Sequence, residues 1–134
     1  MTLTNLYDIA VRDNIDIFAF DMNECESISL LHNGNCFIAI DPFKINCESE
    51  EKVKLAHELG HCETGAFYNQ YAICDIRAKH ERRADKWAIE TLIPKESLTF
   101  ALKNGCSNRW ELSEYFGVTE PFMQKVLDYY LFNH

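Results

Sequence analysis

A chain of 134 residues, 47% hydrophobic and 25% charged, has the size and make-up of one globular domain with a buried core. Its 21 acidic against 13 basic side chains leave a net charge of −8, which argues against the cationic face that a nonspecific grip on nucleic acid needs. No stretch is apolar for the length of a membrane span, and the amino terminus, Met1-Thr2-Leu3-Thr4-Asn5-Leu6-Tyr7-Asp8, is neither basic nor followed by an apolar run, so a cytoplasmic location is expected.

A helix is predicted over residues 4–14, where Leu6, Ile9 and Ala10 share a face and Thr4 or Asn5 stands as N-cap. Ile15-Asp16-Ile17-Phe18-Ala19-Phe20-Asp21 is β-branched and aromatic and reads as a strand. Two further apolar runs, Ser27–Leu31 and Cys36–Ile40, flank His32-Asn33-Gly34-Asn35, and Asn-Gly between such runs signals a hairpin. These segments predict a three-stranded, mainly antiparallel sheet closed by Asp41-Pro42. A helix follows, capped by Ser49, with Glu50 and Glu51 in the first turn, ending near Thr64-Gly65. Gly60 inside it would let another backbone, that of the sheet edge, come close. Residues 66–74, with Phe67, Tyr68 and Tyr71, have no clear period. A long helix is expected from Asp75 to Ile93, where Pro94 stops it.

Beyond Pro94 the chain reads as short helices over 95–103, 108–116 and from Thr119 onward, punctuated by Asn104-Gly105 and Gly117. The last two resemble a helix-turn-helix. Its second helix, Glu120-Pro121-Phe122-Met123-Gln124-Lys125-Val126-Leu127-Asp128, carries one Lys and no Arg. That is poor equipment for phosphates and guanines, so a packing role is favoured over DNA reading. The expectation is an α+β single domain over 1–134: a sheet with active-site helices over 1–94, then helical 95–134.

Six cysteines fall at Cys25, Cys36, Cys47, Cys62, Cys74 and Cys106, with no CxxC pair. Free thiols in a reducing compartment are expected. Cys62, although it follows a candidate metal ligand, is expected to be a packed residue rather than a metal contact.

The chemistry concentrates in His57-Glu58-Leu59-Gly60-His61, the HExxH pattern. Residues four apart on a helix share a face, roughly 6 Å apart along the axis. His57 and His61 can therefore offer two imidazole nitrogens to one zinc ion, while Glu58 reaches a water beside the metal. The apolar Val53, Leu55 and Ala56 place the pair on a packed helix. Catalytic zinc usually takes three protein ligands, and the candidates downstream are His80, Glu81, Asp85 and Glu90. Glu81 and Asp85 share a helix face. Glu81 can bind zinc, and Asp85 can accept the free N–H of a ligand His and fix its tautomer. The competing reading is that both are solvated charges among Arg82, Arg83 and Lys86.

This constellation, His57-Glu58-Leu59-Gly60-His61 followed by Glu81-Arg82-Arg83-Ala84-Asp85-Lys86-Trp87-Ala88 and a helix closing on Pro94, resembles the ImmA/IrrE family of zinc metallopeptidases. The match runs from Val53 to Pro94, and the flanking strands and short helices fit more loosely. The resemblance implies a zincin-like fold with His57, His61 and Glu81 as zinc ligands and Glu58 as general base. Asp85 stands where the family often has Asn, and His80 is the alternative third ligand. The implied activity is endoproteolysis of a repressor or regulator, a helix-turn-helix protein encoded nearby on a phage or mobile element. Tyr68, Tyr71 or His32 are candidates to steady the oxyanion. Two other readings stand beside it: a catalytically silent binder that sequesters a regulator, against which the intact Glu58 speaks, and a DNA-binding regulator, against which the acidic balance speaks.

Overall fold

The computed structural model describes residues 1–23, 25–67 and 74–132. Helix α1 (Leu3–Arg12) starts ahead of Thr4 and Asn5, the caps expected for it. Thr2 is the N-cap, and its hydroxyl accepts from the Asn5 backbone N–H while the Asn5 side chain accepts from the Thr2 N–H at 2.9 Å. This reciprocal pair satisfies two orphan donors at once. Leu6 and Ala10 on the inner face are buried.

Three strands follow: β1 (Asp16–Ala19), β2 (Ser27–His32) and β3 (Asn35–Ile40). The β2–β3 hairpin forms at the predicted turn, where Asn33 and Gly34 take φ of 50° and 80°, as the tight turn demands. The sheet is mixed, in the order β1-β3-β2, with β2 antiparallel and β1 parallel to β3. The reason is that the chain crosses the end of β3 between the two: the Phe20 N–H donates to the Ile40 carbonyl on one side, and the Asp41 N–H donates to the Glu26 carbonyl on the other. Asp41, fully buried, holds this crossing. Its carboxylate accepts from the Met22 and Phe43 N–H groups, both at 2.9 Å, and pairs with Lys44 at 2.8 Å. Lys44 in turn donates to the Met22 carbonyl. The Lys44 ammonium and the two N–H donors hold the Asp41 pKa down at about 2 against the effect of burial.

Helix α2 (Glu48–Thr64) lies on the inner face of the sheet. Its N-cap is Cys47, which makes no side-chain cap bond, and Ser49 sits inside the first turn rather than capping it. Glu50 reaches back instead, accepting from the Asn46 N–H at 2.9 Å. Helix α3 (Cys74–Leu92) packs along α2. Gly60 marks their closest approach: a Cβ there would stand 2.5 Å from the Ala84 carbonyl oxygen. The backbone that comes close is thus that of α3, not the sheet edge. Glycine is required because a helix on each side leaves no room for a side chain.

Helices α4 (Lys95–Lys103), α5 (Arg109–Phe116) and α6 (Glu120–Leu127) follow, and a π-helical turn over Asp128–Phe132 extends α6. Two of their caps are the predicted ones: Gly117 ends α5 at φ 66°, and the Thr119 hydroxyl accepts from Phe122 N–H at the start of α6. Phe122, Met123 and Val126 are buried in the same apolar cluster as Leu55, Leu59, Ile38 and Ile93. The helix-turn-helix-like pair therefore spends its inner face on packing. Lys52, buried on α2, donates to the Phe116 carbonyl at 2.6 Å and so ties α2 to the end of α5, a favourable place for a cation.

Cys36 on β3 and Cys62 on α2 form a disulfide, with their Cα atoms 5.8 Å apart. This corrects the expectation of free thiols for that pair. Packing α2 on the sheet brings two residues 26 apart in sequence within bridging distance, and no local spacing announces it. Cys25, Cys47 and Cys106 are free, and the Cys74 side chain lies outside the described residues.

One pair of carboxyl groups links the ends of α1 and α2. Burial and the hydrogen bond to Asp13 push the Glu63 pKa from its ordinary 4.5 up to about 7. Arg12 first, then Glu63, hold Asp13 down at about 2. The folded chain thus holds the Glu63 proton more tightly than the unfolded one. That contribution is complete below about pH 4.5 and is lost as pH rises through about 7. Metal-free protein is expected to melt at lower temperature at pH 8 than at pH 5, and the step should vanish in Glu63→Gln, whose amide donates to Asp13 at either pH. An identical pH dependence in both proteins would contradict this account.

Candidate functional site

The site is built where α2 and α3 run side by side beneath the first half of β2. His57 and His61 sit one turn apart on α2, and their rings meet edge to face with centroids 4.9 Å apart. His61 is nearly fully buried and His57 half-buried. Each ring is fixed through Nδ1. His57 Nδ1 faces Asp85 Oδ1 at 2.9 Å, and His61 Nδ1 faces the Ala66 carbonyl. The second contact depends on Gly65, which ends α2 at φ 67° and turns the chain so that the Ala66 carbonyl returns to His61. A carboxylate and a carbonyl only accept, so in the neutral rings Nδ1 carries the proton and Nε2 carries the lone pair.

Both Nε2 atoms point at Glu81 on α3. His57 Nε2 lies 2.8 Å from Glu81 Oε2, and His61 Nε2 lies 3.2 Å from Glu81 Oε1. One ligand atom from each of the three residues falls within 4.8 Å of the others, a group that could hold a metal ion. Two imidazole lone pairs and a carboxylate aimed at one point repel each other unless a cation lies between them. This geometry fits a divalent metal, and the N, N, O donor set is one that zinc takes.

The surroundings tune the group. Burial alone would lower the His57 pKa, but the hydrogen bond to Asp85 and the charges of Glu58, Asp85 and Glu81 outweigh it and leave it raised. Asp85 is likewise pushed up by burial and pulled down further by His57 and by Lys125, so it stays ionised. Lys125 reaches it from α6, with Nζ 3.3 Å from Oδ2. Lys125, Asp85 and His57 thus form a chain from the carboxy-terminal helices to the candidate ligand. Asp85→Ala is expected to weaken zinc binding by about 10–100-fold. Asp85→Asn, which keeps an acceptor for the His57 N–H, should retain most of the affinity. Chelator competition on the two variants checks both expectations.

Glu58, on the adjoining face of α2, is only 6% exposed and stands outside the ligand group. Its Oε2 accepts from the Ser27 hydroxyl at 2.7 Å, so the first residue of β2 orients the carboxylate. A cleft of about 250 Å³ opens here, lined by Ser27, Leu30, His57, Glu58, Phe67 and Glu81. A second lobe of about 460 Å³ continues past Glu81 to Lys54, Asp85, Phe122 and Lys125.

The structure brings His57, His61, Glu81, Glu58 and Asp85 together. It does not bring in His80, which, although next to Glu81, stays out of the ligand group among the described residues. Glu90 is taken by the Tyr129 hydroxyl, which donates to its carboxylate, and Cys62 is spent on its disulfide. Of the oxyanion candidates, Tyr68 and Tyr71 lie outside the described residues. His32, at the exposed end of β2 beside Asn33, does not line the cleft. Sequence reasoning missed Ser27, the Ala66 carbonyl and Lys125. Only Lys125 left a trace, as the one cation of a helix that reads poorly as a DNA reader.

Searches against curated proteins and against solved structures gave no significant match. A family comparison did: the Peptidase_M78 model, described as the IrrE N-terminal-like domain, matches residues 14–128. That range contains both helices of the site and all three strands. With most of its length matched and a His-His-Glu group that could hold a metal, the chain belongs to the Peptidase_M78 family and has a function of metallopeptidase type.

Proposed function

We propose that the protein is a zinc-dependent endopeptidase acting in the cytoplasm on a protein substrate, a helix-turn-helix repressor or regulator encoded nearby on a phage or mobile element. The observation that carries the enzymatic part is the convergence of two Nε2 lone pairs and the Glu81 carboxylate on one point, with the Glu58 carboxylate beside it. His57, His61 and Glu81 would hold the metal. Zinc bound there would polarise the scissile carbonyl and lower the pKa of the attacking water to about 7.

The chain's own residues do the rest. Glu58 takes the proton as the water oxygen bonds to the carbonyl carbon, and passes it to the nitrogen as the C–N bond breaks. Ser27 keeps the Glu58 carboxylate turned for that exchange. Among the described residues strand β2 pairs with β3 along one edge only, and Ser27, Ile28, Ser29 and Leu30 border the cleft. An extended peptide can therefore add along the other edge, through main-chain hydrogen bonds that impose little sequence preference. Leu30 and Phe67 offer apolar contacts to its side chains. Asp85, anchored by Lys125, keeps the His57 lone pair aimed at the metal.

Incubation of the zinc-loaded protein with the repressor encoded beside its gene tests this reading. Two fragments from a single cut are expected, with none in the presence of a chelator. A stable, uncut complex with that repressor would favour the silent-binder reading, which leaves Glu58 without a task. A gel shift of DNA by this chain alone would favour the regulator reading.

A further inference from the structure

The disulfide lies directly beside the candidate metal group. Cys62 is the residue after His61, and it sits one helical turn beyond Glu58 on the same face of α2. Glu58 binds Ser27 of β2, and Cys62 is bonded to Cys36 of β3. Two side chains one turn apart thus fasten the last turns of α2 to the sheet, one by a hydrogen bond and one covalently. The anchor is a firm one, since β3 is the central strand of the three. Both cysteines are half-buried rather than sealed in the core, so a reductant can reach them. His61 Nδ1 faces the Ala66 carbonyl, and that residue follows the end of the same helix, so this contact moves with the helix end. A metal site works only when its ligands are held to within about 0.5 Å.

We propose that Cys36–Cys62 is a thiol–disulfide exchange site, acted on by a dithiol reductant, that sets how tightly His57, His61 and Glu81 retain their metal. A thiolate of the dithiol attacks one sulfur, the Cys36–Cys62 bond breaks, and the second thiol of the reductant closes its own disulfide. Two electrons and two protons pass to the protein, which is left with two thiols, and the reductant leaves oxidised. The reduced form keeps the fold, but the turn carrying His61 is then held to the sheet without a covalent tie, by packing and by the Glu58–Ser27 hydrogen bond. Oxidation restores the clamp. The inference rests on the metal reading given under Proposed function.

The test uses the full-length protein loaded with zinc, with a chromogenic chelator competing for the metal. Treatment with a phosphine, which reduces disulfides, is expected to let zinc go at about tenfold lower chelator concentration. The double variant Cys36→Ser/Cys62→Ser should match the reduced wild type and ignore the phosphine. Should that variant not fold, the treated and untreated wild type still decide the question. Zinc held equally tightly in both states would overturn the proposal and leave the metallopeptidase reading standing. Zinc held in neither state would overturn both. Alkylation of the unfolded, air-exposed protein that found Cys36 and Cys62 as thiols would also overturn it.

Discussion

Glu58→Gln is expected to bind zinc as the wild type does and to cleave its substrate about 10²–10⁴-fold more slowly. The side chain stands beside the ligand group, not in it, so the metal loses no donor. Gln has the same shape, and its carbonyl oxygen can still accept from the Ser27 hydroxyl that now holds Glu58 Oε2 at 2.7 Å. What disappears is the carboxylate placed to take a proton from the attacking water and return it to the leaving nitrogen. Single-turnover cleavage and metal analysis on the same preparation separate the two effects. Unchanged cleavage with metal retained would remove Glu58 from the mechanism, and lost metal would make it a structural residue.

Gly60→Ala is expected to destabilise the fold by about 2 kcal/mol or more, although alanine is the better helix former by about 1 kcal/mol. The added methyl would sit 2.5 Å from the Ala84 carbonyl oxygen and 3.0 Å from the Ala84 Cα. Those are backbone atoms of a packed helix, so the clash is relieved only if α2 and α3 move apart. For a chain of this size the melting temperature should fall by roughly 8 °C. The same movement separates His57 and His61 from Glu81, three residues before Ala84, and metal affinity should fall with it. Thermal melting of the metal-free variant, followed by zinc titration, measures both. A variant as stable as the wild type would show that the two helices are not in contact at Gly60.

The elements that were legible in the sequence are those whose signals are local. Asn33-Gly34 fixed the hairpin because only left-handed backbone closes it, and Gly65, Gly117 and Pro94 ended helices for equally local reasons. The HExxH ligands were legible because a helix converts a spacing of four into a shared face. Long-range features were not. The parallel pairing of β1 depends on a crossing pinned by Asp41 and Lys44, and alternation along β1 reads the same in either direction. The closeness of Cys36 and Cys62, the partner of Gly60 and the reach of Lys125 to Asp85 all depend on how whole elements pack. Thr2 does not stand out as the cap because Thr4 and Asn5 carry the same chemistry two and three residues on. Glu81 lies between: its spacing from Asp85 is local, but only the approach of α3 to α2 makes it a partner of the histidines.

The central claim is that one helical turn and a carboxylate from the next helix share a single metal ion. The most direct measurement is elemental analysis of protein purified without added metal and then offered zinc. Close to one zinc per chain is predicted, and His57→Ala and Glu81→Ala should each lose it. A wild type that stays metal-free after zinc is offered, while folded, would contradict the account.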